Sequence, residues 1–268
     1  MRHSNLIVAA TAAVSAIFAL GAASAADLPA RTYTKAPVAV AATYNWTGFY
    51  IGVHGGGDWF NKSWYLPPTP INCGGFPNCV GSNQGDHSAS SWLAGGQAGY
   101  NYQVGQWVLG VEGQASWTNL RGSNGALTAP NNITDNSKTS ALGTLGGRVG
   151  YAFDRFMIFG KAGGAWAHDK FWTTAGVGAA PAFVPGTIIQ SADSDRFGWM
   201  LGIGAEYALT ANWSVKIEYD YMDFGTHRET LQPVLANQIA VQYDVRQRVD
   251  LVKAGVNYRF GGPVVARY

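Results

Sequence analysis

From Trp46 onward, large apolar side chains alternate with polar or small ones at a period of two in eight separate stretches. The first covers 47–59, with Phe49, Ile51, Val53 and Trp59 on one face and Tyr50, Gly52, His54 and Asp58 on the other. The second, 91–103, sets Trp92, Ala94, Ala98, Tyr100 and Tyr102 against Gln97, Asn101 and Gln103. In 107–117, Leu109, Val111 and Ala115 oppose Glu112, Gln114 and Ser116, and in 139–153, Leu145, Val149, Tyr151 and Phe153 oppose Thr144 and Arg148. The stretch 156–166 opposes Ile158 and Ala162 to Lys161, and 197–209 opposes Trp199, Leu201, Ile203, Ala205 and Tyr207 to Glu206. The seventh, 213–222, opposes Val215, Ile217, Tyr219 and Tyr221 to Lys216, Glu218 and Asp220. The last ends on Val252, Ala254, Val256, Tyr258 and Phe260 against Lys253, Asn257 and Arg259, with Asp250 on the apolar parity and so at the outer edge of the band.

Aromatic residues on the apolar face recur ten positions apart: Phe49 and Trp59, Trp92 and Tyr102, Trp107 and Trp117, Phe156 and Trp166, Phe197 and Tyr207. Ten strand residues run about 33 Å. Tilted by about 40°, they span about 25 Å, the height of the apolar band that a transmembrane β-barrel presents between two aromatic girdles. With Trp213, Tyr258 and Phe260, these residues form the expected girdles. The connections 104–106, 154–155 and 210–212 are tight, whereas 60–90, 118–138, 168–194 and 224–246 are long and polar. The pattern therefore predicts an all-β fold: an eight-stranded antiparallel up-and-down transmembrane barrel with short periplasmic turns and four long extracellular loops.

The ends of the chain agree. Arg2 and His3 precede an apolar run from Leu6 to Leu20 and the small-residue site Ala23-Ser24-Ala25, which reads as a signal peptide over 1–25. Residues 26–45, with Pro29 and Pro37, read as a periplasmic lead-in, and 46–268 as the barrel. Every later apolar run is broken by Gly or a polar residue, so a membrane crossing requires a closed barrel. Export plus a barrel places the protein in the outer membrane of a Gram-negative cell. Its expected partners are outer-membrane lipid, lipopolysaccharide and the barrel-assembly machinery. A formal net charge of +2 gives no reason to expect nucleic acid.

Candidate chemistry lies mainly in the lumen. Glu112, Arg148, Lys161, Glu206, Lys216, Glu218, Asp220, Lys253 and Arg259 all fall on inward parity. Glu112, Arg148, Lys161 and Glu218 lie at similar depth counted from the periplasmic turns. An eight-stranded interior is just wide enough for side chains, and buried charges need partners. Two readings follow: a plug of ion pairs, or a narrow polar conduit lined by them. Cys73 and Cys79 are placed to close a disulfide in the first extracellular loop, the exported state favouring oxidation and two thiols falling short of a metal site. His87, His168 and His227 fall in three expected loops, where a haem site could use one or two of them, although solvated histidines suffice. His54 with Asp58 is the nearest approach to a catalytic pair; no nucleophile accompanies it, so no enzyme activity, metal or obligatory cofactor is expected.

Asn45-Trp46-Thr47-Gly48-Phe49-Tyr50-Ile51-Gly52 after a short lead-in resembles the opening of the small outer-membrane porin-like proteins of alphaproteobacteria, often labelled outer membrane immunogenic proteins. Ile217-Glu218-Tyr219-Asp220-Tyr221-Met222-Asp223-Phe224-Gly225 resembles their penultimate strand, and Val256-Asn257-Tyr258-Arg259-Phe260 their last. The resemblance implies a single surface-exposed eight-stranded barrel, some of whose relatives bind haem. Gly261 to Tyr268 extends past the final strand, so either Phe260 or Tyr268 carries the assembly signal. The leading functional expectation is a surface protein that contributes to envelope structure. The alternatives are passive diffusion of small solutes and loop-mediated binding of haem or a host ligand.

Overall fold

The computed structural model describes residues 44–73, 81–125, 133–176, 184–234 and 239–261. Eight strands close into one antiparallel ring in chain order: β1 (Gly48–Leu66), β2 (Ser82–Val104), β3 (Trp107–Gly125), β4 (Ile133–Phe153), β5 (Phe156–Ala175), β6 (Ile188–Ala208), β7 (Trp213–Pro233) and β8 (Val241–Arg259). A single helical turn, α1 (Pro70–Cys73), follows β1. The expected signal peptide and the lead-in up to residue 43, Cys79 of the expected disulfide, and residues 262–268 with Tyr268 lie outside the described residues.

The strand registers follow the alternation. Tyr102 pairs with Leu109, Ile51 with Tyr258 and Ala162 with Leu201, so apolar side chains meet on the outer face. Leu109, Val111, Ile203 and Ile217 are all at least half exposed on that face, as lipid contact requires. The girdle residues point outward, Trp166 and Tyr258 being half-buried by neighbours and the others exposed. Tight turns close the periplasmic end. Gly105 (φ 61°) and Asp154 (φ 55°) supply the left-handed residue in two of them.

The strands are longer than the alternation predicted. Each continues above the outer girdle into segments expected to be loops, with β1 reaching Leu66, β5 Ala175 and β7 Pro233. The apolar face reverses there. Below the girdle, Phe49, Ile51 and Val53 point out; above it, Phe60 and Trp64 point in while Asn61 and Ser63 point out. Water replaces lipid outside the wall at that height, so the apolar side chains turn inward. The contrast used to find the strands changes sign, and local irregularities in register at Trp64/Tyr65, Thr139/Ala141 and Asp223/Thr226 obscure it further.

Candidate functional site: a layered lumen

The interior is a stack of alternating apolar and charged layers. At the periplasmic end, Trp46, Val108, Ala152, Met157, Phe159 and Ala208 form an apolar floor. Trp46 drives this packing. Its backbone N–H donates to Gln103 Oε1 at 2.6 Å, and its indole N–H to the Asp154 carbonyl at 3.0 Å. The Tyr44 backbone N–H donates to the Asp154 carboxylate at 2.7 Å. The end of the lead-in is thus stitched across the mouth.

Above the floor lies the principal charge layer. Arg148 pairs with Glu206 at 2.8 Å and lies 3.8 Å from Glu112. Lys216 bridges Glu112 at 3.0 Å and Glu218 at 3.1 Å. Lys161 pairs with Glu218 and contacts Glu112 at 3.5 Å and Asp220 at 3.3 Å. Lys253 joins Glu218 at 3.0 Å to Asp220 at 2.5 Å. Four carboxylates therefore face four cations, and the layer is neutral. Polar neighbours add hydrogen bonds to Glu112 and Glu206, while Arg148 Nε and Asp220 Oδ1 stay without one among the described residues. Tyr50 donates to Glu112 at 2.8 Å, Ser214 to Glu206 at 2.6 Å and Asn257 to Glu206 at 2.9 Å. The Arg148 guanidinium also lies 4.0 Å from the centre of the Phe159 ring.

A second apolar layer caps these charges: Phe60, Leu93, Leu120, Leu142, Met200, Met222, Phe224, Val249 and Leu251. At this height inward apolar side chains pack on one another, beside the Asp58–Thr118 hydrogen bond. Higher still, outside the membrane, Lys62 pairs with Asp169 at 2.9 Å and Arg196 with Glu229 at 3.0 Å. Burial lowers the Lys62 pKa, an effect that the Asp169 charge opposes. Trp64, Phe171, Leu231, Tyr243 and Val245 complete the stack.

Eight of the nine lumen charges read from the sequence meet in the principal layer. Arg259 does not. It lies at the periplasmic rim, donating to the carbonyls of Asn45 and Ala211 with its guanidinium 4.4 Å from the Tyr44 ring centre. Its parity is inward, but its depth lies below the network. The three candidate haem histidines sit in strands instead of loops and do not converge. His87 is buried inside β2 with Nε2 3.0 Å from Ser137 Oγ, and burial together with nearby Lys62 lowers its pKa to about 4. His168 faces outward on β5 against Asp195, and His227 is exposed on β7. His54 and Asp58 are engaged separately, His54 with Ser116 at 2.7 Å and Asp58 with the Thr118 hydroxyl at 2.5 Å. The sequence reading missed Trp46 as the floor and the Lys62–Asp169 and Arg196–Glu229 pairs, which lie beyond the stretches of clear alternation.

The family model for the outer membrane protein beta-barrel domain matches residues 10–260. The chain belongs to that family. A relative within reach is the 31 kDa outer-membrane immunogenic protein of Brucella melitensis, 30% identical over 93% of this chain and 98% of its own length. The 25 kDa outer-membrane immunogenic protein of Brucella abortus is 29% identical over 84% of each chain, and the 22 kDa outer membrane protein of Rhizobium leguminosarum bv. viciae is 30% identical over 71% of this chain and 69% of its own. Among solved structures, the outer membrane protein OprG of Pseudomonas aeruginosa aligns over 81% of this chain and 99% of its own, at 16% identity and a TM-score of 0.49. Family membership places the protein in the outer membrane of a Gram-negative bacterium.

Proposed function

We propose that the protein is a non-catalytic surface component of the outer membrane that contributes to envelope structure and conducts no solutes. The apolar layer from Phe60 to Leu251 carries this reading. A diffusion pore needs continuous water, and here a buried, mainly hydrocarbon layer, with the Asp58–Thr118 hydrogen bond at its level, separates two charged ones. The ion pairs act as internal staples between distant strands. Arg148 on β4 joins Glu206 on β6, and Lys216 on β7 reaches Glu112 on β3. The names of the Brucella relatives, outer-membrane immunogenic proteins, support surface display, and the separate engagement of His54 and Asp58 supports a role without catalysis.

Conductance of the refolded protein in a planar lipid bilayer tests the proposal. The expected result is a silent membrane. A steady conductance proportional to voltage would overturn it in favour of passive diffusion of small solutes.

A further inference from the structure

Above the outer girdle the wall is not a continuous cylinder. Between β2 and β3, ladder pairing runs from Val104↔Trp107 up to Leu93↔Thr118 and stops, although both strands continue. Between β6 and β7 it runs up to Trp199↔Asp223 and resumes only at Ser191↔Gln232 and Gln190↔Pro233. Among the described residues, no ladder pair joins 82–92 to 119–125 or 192–198 to 224–231. The other six seams stay paired almost to the strand tips, as in Leu66↔Ser82, Tyr65↔Asp244, Leu231↔Val241, Gly125↔Thr134, Ile133↔Ala175 and Thr174↔Ile188. The two breaks lie four strands apart, on opposite sides of the ring. The extracellular section is therefore two four-stranded sheets, β7-β8-β1-β2 and β3-β4-β5-β6, facing each other across a side-chain core.

The breaks are built in. Gly225 (φ 66°) takes the left-handed conformation where the β7–β8 register shifts after Asp223, bending β7 at the base of one break. Side chains then replace the ladder between sheets. Lys62 reaches Asp169, the Arg196 guanidinium and the Ser194 hydroxyl both donate to Glu229, and Trp64 meets Phe171 edge-on at 5.5 Å. At the β2–β3 break, the Asn124 amide donates to the Gln84 carbonyl at 2.7 Å, and His87 meets Ser137. Among the described residues, ladder pairs hold the β6–β7 break above and below, whereas the β2–β3 break has ladder pairs only below it and the Asn124–Gln84 hydrogen bond above.

We propose that the two sheets are jaws that swing about the β6–β7 seam and part at the β2–β3 seam, while the transmembrane barrel below stays closed. Separating them breaks side-chain contacts but leaves each sheet's backbone ladder intact. The core between the jaws holds groups that the closed state leaves without partners: both carboxylate oxygens of Asp135, the Trp64 indole N–H and His87 Nδ1. Buried groups of this kind cost free energy until something bonds them. Parting the jaws offers them, with the faces of Trp64, Phe171 and Tyr243, to the outside of the cell.

Spin labels carried by a non-cysteine unnatural amino acid, read by pulsed dipolar spectroscopy in refolded full-length protein, test this. Ser88 on β2 and Lys170 on β5 are both exposed and report across the jaws; Ser88 with Thr226 on β7 reports within one jaw. Gly122→Val supplies a wedge, because a Cβ there would collide with the His87 ring and Phe60 across the β2–β3 seam. The expected result is a cross-jaw distribution broader than the within-jaw control in the unmodified protein, or one that lengthens by at least a strand spacing, about 5 Å, in Gly122→Val with the control unchanged. A single narrow cross-jaw distance in both proteins, matching the control in width, would overturn the proposal.

Discussion

Asp135 sits at 0% exposure on the inner face of β4 with neither carboxylate oxygen bonded, in the extracellular section above the membrane. Burial pushes its carboxyl up to about 7 from an ordinary 3.8. The folded protein therefore holds this proton up to about pH 7, while the unfolded chain releases it near 3.8. Between those values the folded state binds more protons, so stability falls as pH rises. At about 1.36 kcal/mol per unit, the full loss is about 4 kcal/mol, reached above about pH 7. His87 contributes the opposite slope. Its folded pKa of about 4 lies below the ordinary 6.5, so it makes the protein less stable as pH falls through that range. The test must subtract this background, and Asp135→Asn does so. The amide cannot ionise, and any cost of its own unmet hydrogen bonds is independent of pH. Urea unfolding of both proteins refolded in lipid vesicles, followed by tryptophan fluorescence at pH 4, 6 and 8, gives two stability curves. Their difference should change by about 4 kcal/mol across that range, with Asp135→Asn gaining relative to the unmodified protein as pH rises. Parallel curves would refute the reasoning, showing that Asp135 is solvated or paired in the folded protein.

The lumen and the wall allow further checks by the same unfolding measurement. Arg148→Ala should cost about 3–5 kcal/mol by leaving Glu206 buried without its closest cation. A double-mutant cycle should give Arg148 a larger coupling to Glu206, at 2.8 Å, than to Glu112, at 3.8 Å. Replacing lipid-facing Ile203 or Val111 by Arg should cost about 2–4 kcal/mol near mid-membrane, and no loss at either position would show that the strand parity is wrong. Trp46→Ala should destabilise by about 3–5 kcal/mol yet leave a planar bilayer silent, because the charge layer and the apolar layer above the floor remain. A conductance opened by that single change would make Trp46 the sole barrier.

The transmembrane part was legible because lipid imposes one rule on every strand: large apolar side chains outside, anything else inside. Eight stretches obeyed it closely enough to give strand order, the direction of each face and the girdles. The principal charge layer followed from the same parity, since a charged residue opposite a lipid-facing one has only the lumen to enter. Depth was harder to read. Arg259 carries the correct parity, but three strand residues beyond Val256 bring it to the rim, where backbone carbonyls replace carboxylates as its partners. Partner choice was harder again. Arg148 lies at the same height as Glu112, yet its guanidinium turns to Glu206, which Ser214 and Asn257 hold in place.

The apolar layer inside the lumen was written in the same alternation, as exceptions to it. Leu93, Leu142, Met200, Met222 and Leu251 all lie on inward parity, where a water-filled barrel would carry polar residues. Each alone resembles noise in a strand. Together they lie at one height, next to the outer girdle, where Phe60 and Phe224 begin the reversed pattern of the extracellular section. One physical change explains both features. At the girdle the medium outside the wall passes from hydrocarbon to water, and the apolar side chains that no longer have lipid to face must find one another. They can do so only in the interior, so a barrel that extends its strands well beyond the membrane as an ordered structure fills its own lumen with hydrocarbon at that height. The extension and the apolar layer at the girdle then share one cause. Shortening the extracellular strands would strip Phe60, Leu120, Phe224 and Val249 from the top of that layer and leave Leu93, Leu142, Met200, Met222 and Leu251, which lie on the membrane side of the girdle, exposed to water from above.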